Sequence, residues 1–292
     1  MYKQIAENKR RTILIIIGFV LMIGAIAGVF AWVYNDVWIA VWTVLIAIGY
    51  AVLQYYMAGS LATAMTGARE IEKKDNPRFY NIVENLSITT GLPMPKVYII
   101  DDQAPNAFAT GRDPKHASVA ATSGLIDIMN DKELTAVMAH EMSHVKNYDI
   151  RVSMIVFGLV CVVGLISDLA FRMMFYGNRR RDNEGSPVGY VLILIAAVLS
   201  PLVASIAQMA VSRQREYLAD ASAVNITRYP EGMIGALKKL QSHSAPMKSQ
   251  NIAAEAMYIN NPLRKGFFNN LFSSHPPLEK RIERLEHGKK AF

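Results

Sequence analysis

Two histidines, His140 and His144, stand four residues apart, with Glu141 beside the first. The surrounding stretch, Lys132 to Lys146, reads as helix, where positions four apart project from one face about 40° from each other. Two neutral imidazoles so placed can grip one zinc ion at roughly 2.0–2.1 Å each. Glu141 lies one step round the helix, where a carboxylate can reach a water held by that metal. The chemistry implied is hydrolysis, with the general base built into the turn that holds the ion. The bland alternative, two surface histidines beside a helical glutamate, needs three specified residues to fall at this spacing by chance.

A catalytic zinc generally takes three protein ligands and keeps one position open. Of the other histidines, His116, His243, His275 and His287, none belongs to a spaced metal motif. The best carboxylate candidate is Glu216, in Arg213-Gln214-Arg215-Glu216-Tyr217-Leu218-Ala219-Asp220. Asp220 follows one turn later on the same face, placed to accept the free N–H of a ligand histidine. A charged helix face is more often solvated surface, so on chemistry alone the role of Glu216 stays open.

The elements that must position these groups are rich in apolar residues. Hydrophobic residues make up 52% of the 292-residue chain, a high share for a soluble domain. Ile13 to Val33 and Val37 to Met57 carry no charge, and only Tyr34, Asn35 and Asp36 separate them. Each is long enough to cross a bilayer. Val152 to Ala170, apolar except for Asp168, and the charge-free Val188 to Val211 form a second candidate hairpin, with Ser200-Pro201 as a kink. Asp168 and Arg172 are spaced to pair at the membrane edge. A cleaved signal peptide, with Lys9-Arg10-Arg11 as its basic end and Ala25-Ile26-Ala27 as its cleavage site, competes for the first segment. The apolar run continues to Val33, which favours an uncleaved anchor.

Lys3, Lys9, Arg10 and Arg11 precede the first span, and no basic residue occupies the turn after it. That places the N-terminus and residues 59–151 in the cytoplasm. Arg179, Arg180 and Arg181 would face outward if both later segments cross. Either the N-terminal signal dominates or that hairpin enters the membrane without fully crossing it. Two crossings between His144 and Glu216 return the chain to one side, as a shared metal requires. The net charge of +7 suits cytoplasmic loops facing anionic lipid, and no motif points to nucleic acid. The single cysteine, Cys161, excludes an intramolecular disulfide and a thiolate zinc cluster.

The chain thus divides into a first hairpin (1–58), a polar segment bearing the two histidines (59–151), a second membrane or membrane-embedded hairpin (152–211) and a second polar segment (212–292). The polar segments are expected to form one domain. Helix-like sequence continues to Lys74, and Pro77 to Thr90 reads as a helix stopped by Gly91 and Pro93. Lys96 to Ile100, Asn106 to Thr110 and His116 to Thr122 read as strands, the last two joined by a turn at Gly111-Arg112-Asp113-Pro114. Asn130 and Glu133 are spaced for a capping box ahead of the histidine helix.

Four motifs in order then carry a resemblance. They are Asn106-Ala107-Phe108-Ala109-Thr110-Gly111, His140-Glu141-x-x-His144 with Asn147 and Asp149, Arg215-Glu216-Tyr217-x-Ala219-Asp220, and His275-Pro276-Pro277. Over essentially its whole length the chain resembles the HtpX-like membrane zinc endopeptidases, gluzincins whose wider family includes the CAAX prenyl proteases. The resemblance implies an α+β membrane protein, with about four transmembrane helices in two hairpins and a mostly helical gluzincin metalloprotease domain with a small sheet. It implies one zinc ion per chain, held by His140, His144 and Glu216, with Glu141 as general base and Asp220 orienting a ligand. It also implies a multi-pass protein of the bacterial inner membrane, its catalytic domain facing the cytoplasm. Its substrates would be misfolded or damaged membrane proteins in stress-linked quality control, with other quality-control proteases as partners.

His275 is a candidate oxyanion donor, and so are Arg213, Arg215 and Tyr217. For His275, a place just before a helix starting at Pro276-Pro277 explains the residue equally well. Asn106, Ala107, Phe108 and Ala109 are candidates for an open edge strand onto which an extended substrate adds. Lys265 to Phe272 is a candidate flap or membrane-touching segment. Two other readings compete. Prenyl-peptide processing is disfavoured by only four apolar segments, and a membrane scaffold with a structural metal by the lack of an evident fourth ligand.

Overall fold

In a computed structural model, the structure describes residues 2–33, 35–161, 195, 213–243, 245–248, 257–259 and 276–288. The chain opens with two long helices, α1 (Tyr2–Val33) and α2 (Val37–Met65), packed side by side. Asn35 turns the chain with φ 51°, and the Asp36 carboxylate caps α2 by accepting the Trp38 N–H at 2.9 Å. The outer face of this pair exposes Leu14, Ile17, Leu21, Trp42, Leu45 and Ile46 among others, an apolar surface that water does not favour. Among the described residues, no single helix is long and apolar enough to cross a membrane. One bent pair, Val41–Met57 with Gly59–Met65 at 70°, is so by length and composition.

The helix-like sequence expected to reach Lys74 stops earlier. α2 ends at Met65, and Gly67 at φ 68° turns the backbone out of the helix. A short strand, β1 (Arg69–Glu70), follows. Helix α3 (Pro77–Thr90) falls where the sequence placed it, with Asn76 accepting the Phe79 N–H and Gly91 in the left-handed region as its stop. Three further strands are β2 (Lys96–Ile100), β3 (Ala107–Gly111) and β4 (Ala117–Thr122). The sheet order is β1-β2-β4-β3: β2 runs parallel to β4, and β1 and β3 pair antiparallel at the two edges.

Both faces of this sheet are covered. Ala107, Ala109, Val119 and Ala121 face one apolar cluster with α3 and the later helices. Phe108 and Ala120 face another with Ala62, Met154 and Phe157. The period-2 alternation of strands therefore separates two apolar environments rather than core from water. A short helix, α4 (Ser123–Ile128), leads from β4 and is capped by the Thr122 hydroxyl.

Helix α5 (Asp131–Lys146) carries the histidine motif. Its capping box is present: Asn130 Oδ1 accepts the Glu133 N–H at 3.0 Å, and Glu133 Oε2 accepts the Asn130 N–H at 2.8 Å. Helical residues 149–161, here α6, follow after a turn. They pack against the first hairpin, with Ile155 and Leu159 meeting Phe19 and its neighbours. On the other side Gln54 of α2 donates to Met154 O at 3.2 Å, and Tyr50 donates to Gly158 O at 3.0 Å. After the undescribed stretch come α7 (Arg213–Thr227), α8 (Pro230–Ser242) and α9 (Leu278–Gly288). α5 packs on both α7 and α8, and α9 packs across α8 and α7. The expected Asp168–Arg172 pair, most of the second hairpin, the three-arginine loop and the 265–272 segment lie outside the described residues.

Candidate metal centre

Helix α5 is almost wholly enclosed, and its inner face presents His140 and Glu141, at 0% and 2% exposure. Across from it α7 presents Glu216. His140 Nε2 and His144 Nε2 lie 3.2 Å apart, and Glu216 Oε2 and Oε1 lie 3.5 and 3.6 Å from them respectively. One atom from each residue falls within 4.8 Å of the other two. A tetrahedral ion with bonds of 2.0–2.1 Å needs ligand atoms about 3.3 Å apart. The Nε2–Nε2 edge matches that figure, and the two Glu216 oxygens each lie near it from one ring, so the cluster could hold a metal.

The far sides of the two rings explain why the Nε2 atoms converge. His140 Nδ1 lies 2.9 Å from Asp220 Oδ1, and His144 Nδ1 lies 3.0 Å from Asp149 Oδ2. Each Nδ1 donates its proton to a carboxylate, which leaves the Nε2 lone pair free for a metal. Burial disfavours a charged His140, but hydrogen bonds to Asp220 and Glu216 outweigh it and raise its pKa to about 9 in the metal-free site. Burial and then the hydrogen bond to Asp149 act likewise on His144, with a net upward shift. Against its burial, Asp220 is held down at about 2 by Arg281 and His140.

Asp220, the expected orienting residue, lies against His140. The structure adds two residues whose roles the sequence reading missed. Asp149, quoted only as part of a motif, does for His144 what Asp220 does for His140. Arg281, on α9, is fully buried and donates from Nε and Nη2 to Asp220 Oδ2 and Oδ1 at 2.9 and 2.7 Å. Its Nη1 lies 4.0 Å from Glu216 Oε2, and hydrogen-bonds to nothing among the described residues. The signal was present in the cluster Glu279-Lys280-Arg281, but α9 reads as an ordinary amphipathic surface helix, and one charged residue on its apolar side is easily taken for a surface group.

The other candidates are placed less centrally. Arg215 Nη1 lies 3.3 Å from Asp149 Oδ1. The Tyr217 ring stacks under Arg284 at 4.5 Å, on the α9 side of its helix. Arg213 opens α7, and His275 lies outside the described residues. Strand β3 is an edge strand, as expected, but part of that edge is taken: Ala107 O accepts the Ile259 N–H at 3.0 Å, and Tyr258 meets the Phe108 ring edge-on at 5.1 Å. The Asn106 N–H is turned inward, to the Thr122 hydroxyl at 2.9 Å.

Two histidines and a glutamate on facing helices within reach of one ion, and a second glutamate beside them, are the parts of a metal-dependent hydrolase. The comparisons agree. The model of peptidase family M48 matches residues 73–289. A protease HtpX homolog of Tropheryma whipplei (strain Twist) is 54% identical over 98% of both chains, and one of Ligilactobacillus salivarius (strain UCC118) is 44% identical over 98% of this chain and 99% of its own. The crystal structure of S. mikatae Ste24p is similar in fold, with a TM-score of 0.52 at 20% identity, over 98% of this chain and 67% of that one. The chain belongs to peptidase family M48 and is a membrane metalloendopeptidase.

Proposed function

We propose that this protein is a zinc-dependent endopeptidase, anchored by helical hairpins at 1–58 and 152–211, that cleaves misfolded or damaged membrane proteins on the cytoplasmic side. The observation that carries the reading is the convergence of His140 Nε2, His144 Nε2 and the Glu216 carboxylate within reach of one ion. Two nitrogens and a carboxylate oxygen, with no thiolate, suit zinc. Zinc held there supplies Lewis acidity, polarising a carbonyl and acidifying water.

The chain's own groups do the rest. Glu141 projects from the same turn as His140, and its carboxylate takes the proton of the attacking water and passes it to the leaving amine. Asp220 and Asp149 accept at Nδ1 of the two imidazoles, which turns each Nε2 towards the metal position. Arg281 fixes Asp220 and places a positive charge beside Glu216. An extended substrate adds as a strand along the outer edge of β3 at Ala109, beyond the contact that Ile259 makes with Ala107. His275, just ahead of α9, remains the proposed oxyanion donor.

Membrane anchoring rests on the exposed apolar faces of α1 and α2, and the cytoplasmic side on the basic residues of α1 that precede its apolar run. Purified protein in detergent is expected to carry about one zinc per chain and to cleave casein. Equal cleavage by wild type and Glu141→Gln would refute the assigned base. For sidedness, a cysteine introduced at exposed Lys115 should react with a membrane-impermeant thiol reagent only after cells are permeabilised. Labelling in intact cells would reverse the orientation.

A further inference from the structure

The two ligand histidines are held from different places. His140 is tied to Asp220, which Arg281 grips with two hydrogen bonds from within the peptidase domain. His144 is tied to Asp149, and the support of Asp149 comes from the membrane anchor. Asn8 of α1, only 3% exposed, donates from Nδ2 to Asp149 Oδ1 at 2.6 Å and to Asn147 O at 2.9 Å. Asp149 Oδ2 is the atom that accepts from His144 Nδ1.

The turn that Asn8 grips needs support. Asn147 and Tyr148 break the helix between α5 and α6, and Tyr148 sits at φ 62°, a conformation costly for a residue with a side chain. The next residue of α1, Lys9, places its ammonium 4.8 Å from the centre of the Tyr148 ring. The one other group bonded to Asp149 Oδ1 among the described residues is Arg215, at a longer 3.3 Å. Asn8 is a neutral donor, so it orients Asp149 without cancelling the negative charge that polarises His144.

We propose that Asn8 is a positioning residue of the metal centre, acting through Asp149 on His144 and making the geometry of the site depend on docking of the first membrane-anchoring helix. The proposal rests on the zinc reading given above. The test uses full-length protein in detergent, with zinc affinity measured by competition against a chelator. Wild type is compared with Asn8→Ala, Asp149→Asn, the double variant, and Thr12→Ala, which trims another buried side chain on the same helix.

Asn8→Ala should weaken zinc binding about tenfold, the scale of lost outer contacts to a ligand. Thr12→Ala should leave it unchanged, and Asn8→Ala should add nothing in the Asp149→Asn background. Substituted with cobalt(II), Asn8→Ala should also show altered d–d absorption. Wild-type affinity in Asn8→Ala would overturn the proposal, as would additive losses in the double variant or an equal loss in Thr12→Ala. A wild-type protein that binds no zinc would instead remove the metal centre itself, a failure distinguishable from the others.

Discussion

Arg281 and Asp220 form a two-pronged ion pair in the interior, Nε to Oδ2 at 2.9 Å and Nη2 to Oδ1 at 2.7 Å, with neither residue more than 2% exposed. Asp220 Oδ1 also accepts from His140. One carboxylate thus fastens α9 and α7 to the ligand helix α5, and the pair sets the deep wall of the metal centre.

Arg281→Met should strand the Asp220 charge. Removing one partner of a buried pair costs about 3–5 kcal/mol. Thermal unfolding in detergent is expected to fall by roughly 5–15 °C, with loss of bound metal. Arg281→Lys keeps the charge but not the fork, and should fall between the two. An unchanged melting temperature in Arg281→Met would show that Asp220 finds another partner.

The two glutamates should separate cleanly. Glu141→Gln keeps the metal and loses about 10²–10⁴-fold in turnover. Glu216→Ala loses the metal, because two histidines alone make a poor zinc site. Metal analysis beside a peptide-cleavage assay reads both outcomes. Chelation of wild type should abolish cleavage, and added zinc should restore it.

In the metal-free protein, burial opposes the charge on His140, but Asp220 and Glu216 raise its pKa to about 9, above the ordinary 6.5. Protonation therefore stabilises the metal-free fold fully below 6.5, and this contribution fades as pH rises through about 9. Zinc requires the deprotonated ring, so proton and metal compete. The rise in melting temperature on adding zinc should be larger at pH 9 than at pH 6.5. A rise that shrinks with pH would contradict the assignment of His140 as ligand.

Gly158 is where α6 meets α2. A Cβ built there would meet the Gln54 side chain, whose Nε2 bonds Met154 O at 3.2 Å. Gly158→Leu should displace the Gln54 side chain, break that bond and crowd the contact between the two helices. Thermal unfolding should begin earlier, and cysteine pairs placed across α2 and α6 should cross-link less efficiently. Wild-type behaviour in both would show that the contact is dispensable.

Much of this was legible in the sequence because it depends on local chemistry. The α5 capping box, the left-handed Gly91 stop and the range of β2 follow from residue types at fixed offsets. Strand β3 appeared one residue earlier than it is and β4 began one residue early, because their small residues are buried on both faces and give little contrast. The expected helix past Met65 failed at Gly67, a stop that the helical pattern outweighed. Glu216 and Asp220 were readable as a face one turn apart. Asp149, Arg281 and Asn8 were not, since each gains its meaning from a partner far along the chain. Asn8 in particular looks like an ordinary polar residue ahead of a hydrophobic run.

The centre is assembled from parts that leave the ribosome at widely separated times. His140, His144 and Asp149 come first, Glu216 and Asp220 follow the second apolar stretch, and Arg281 comes some sixty residues after those. A growing chain thus lacks the complete centre until residue 281 has been made. A chain ended at residue 277 is expected to retain little zinc. The order of synthesis then serves as a safety catch on a peptidase whose nearest unfolded target is itself.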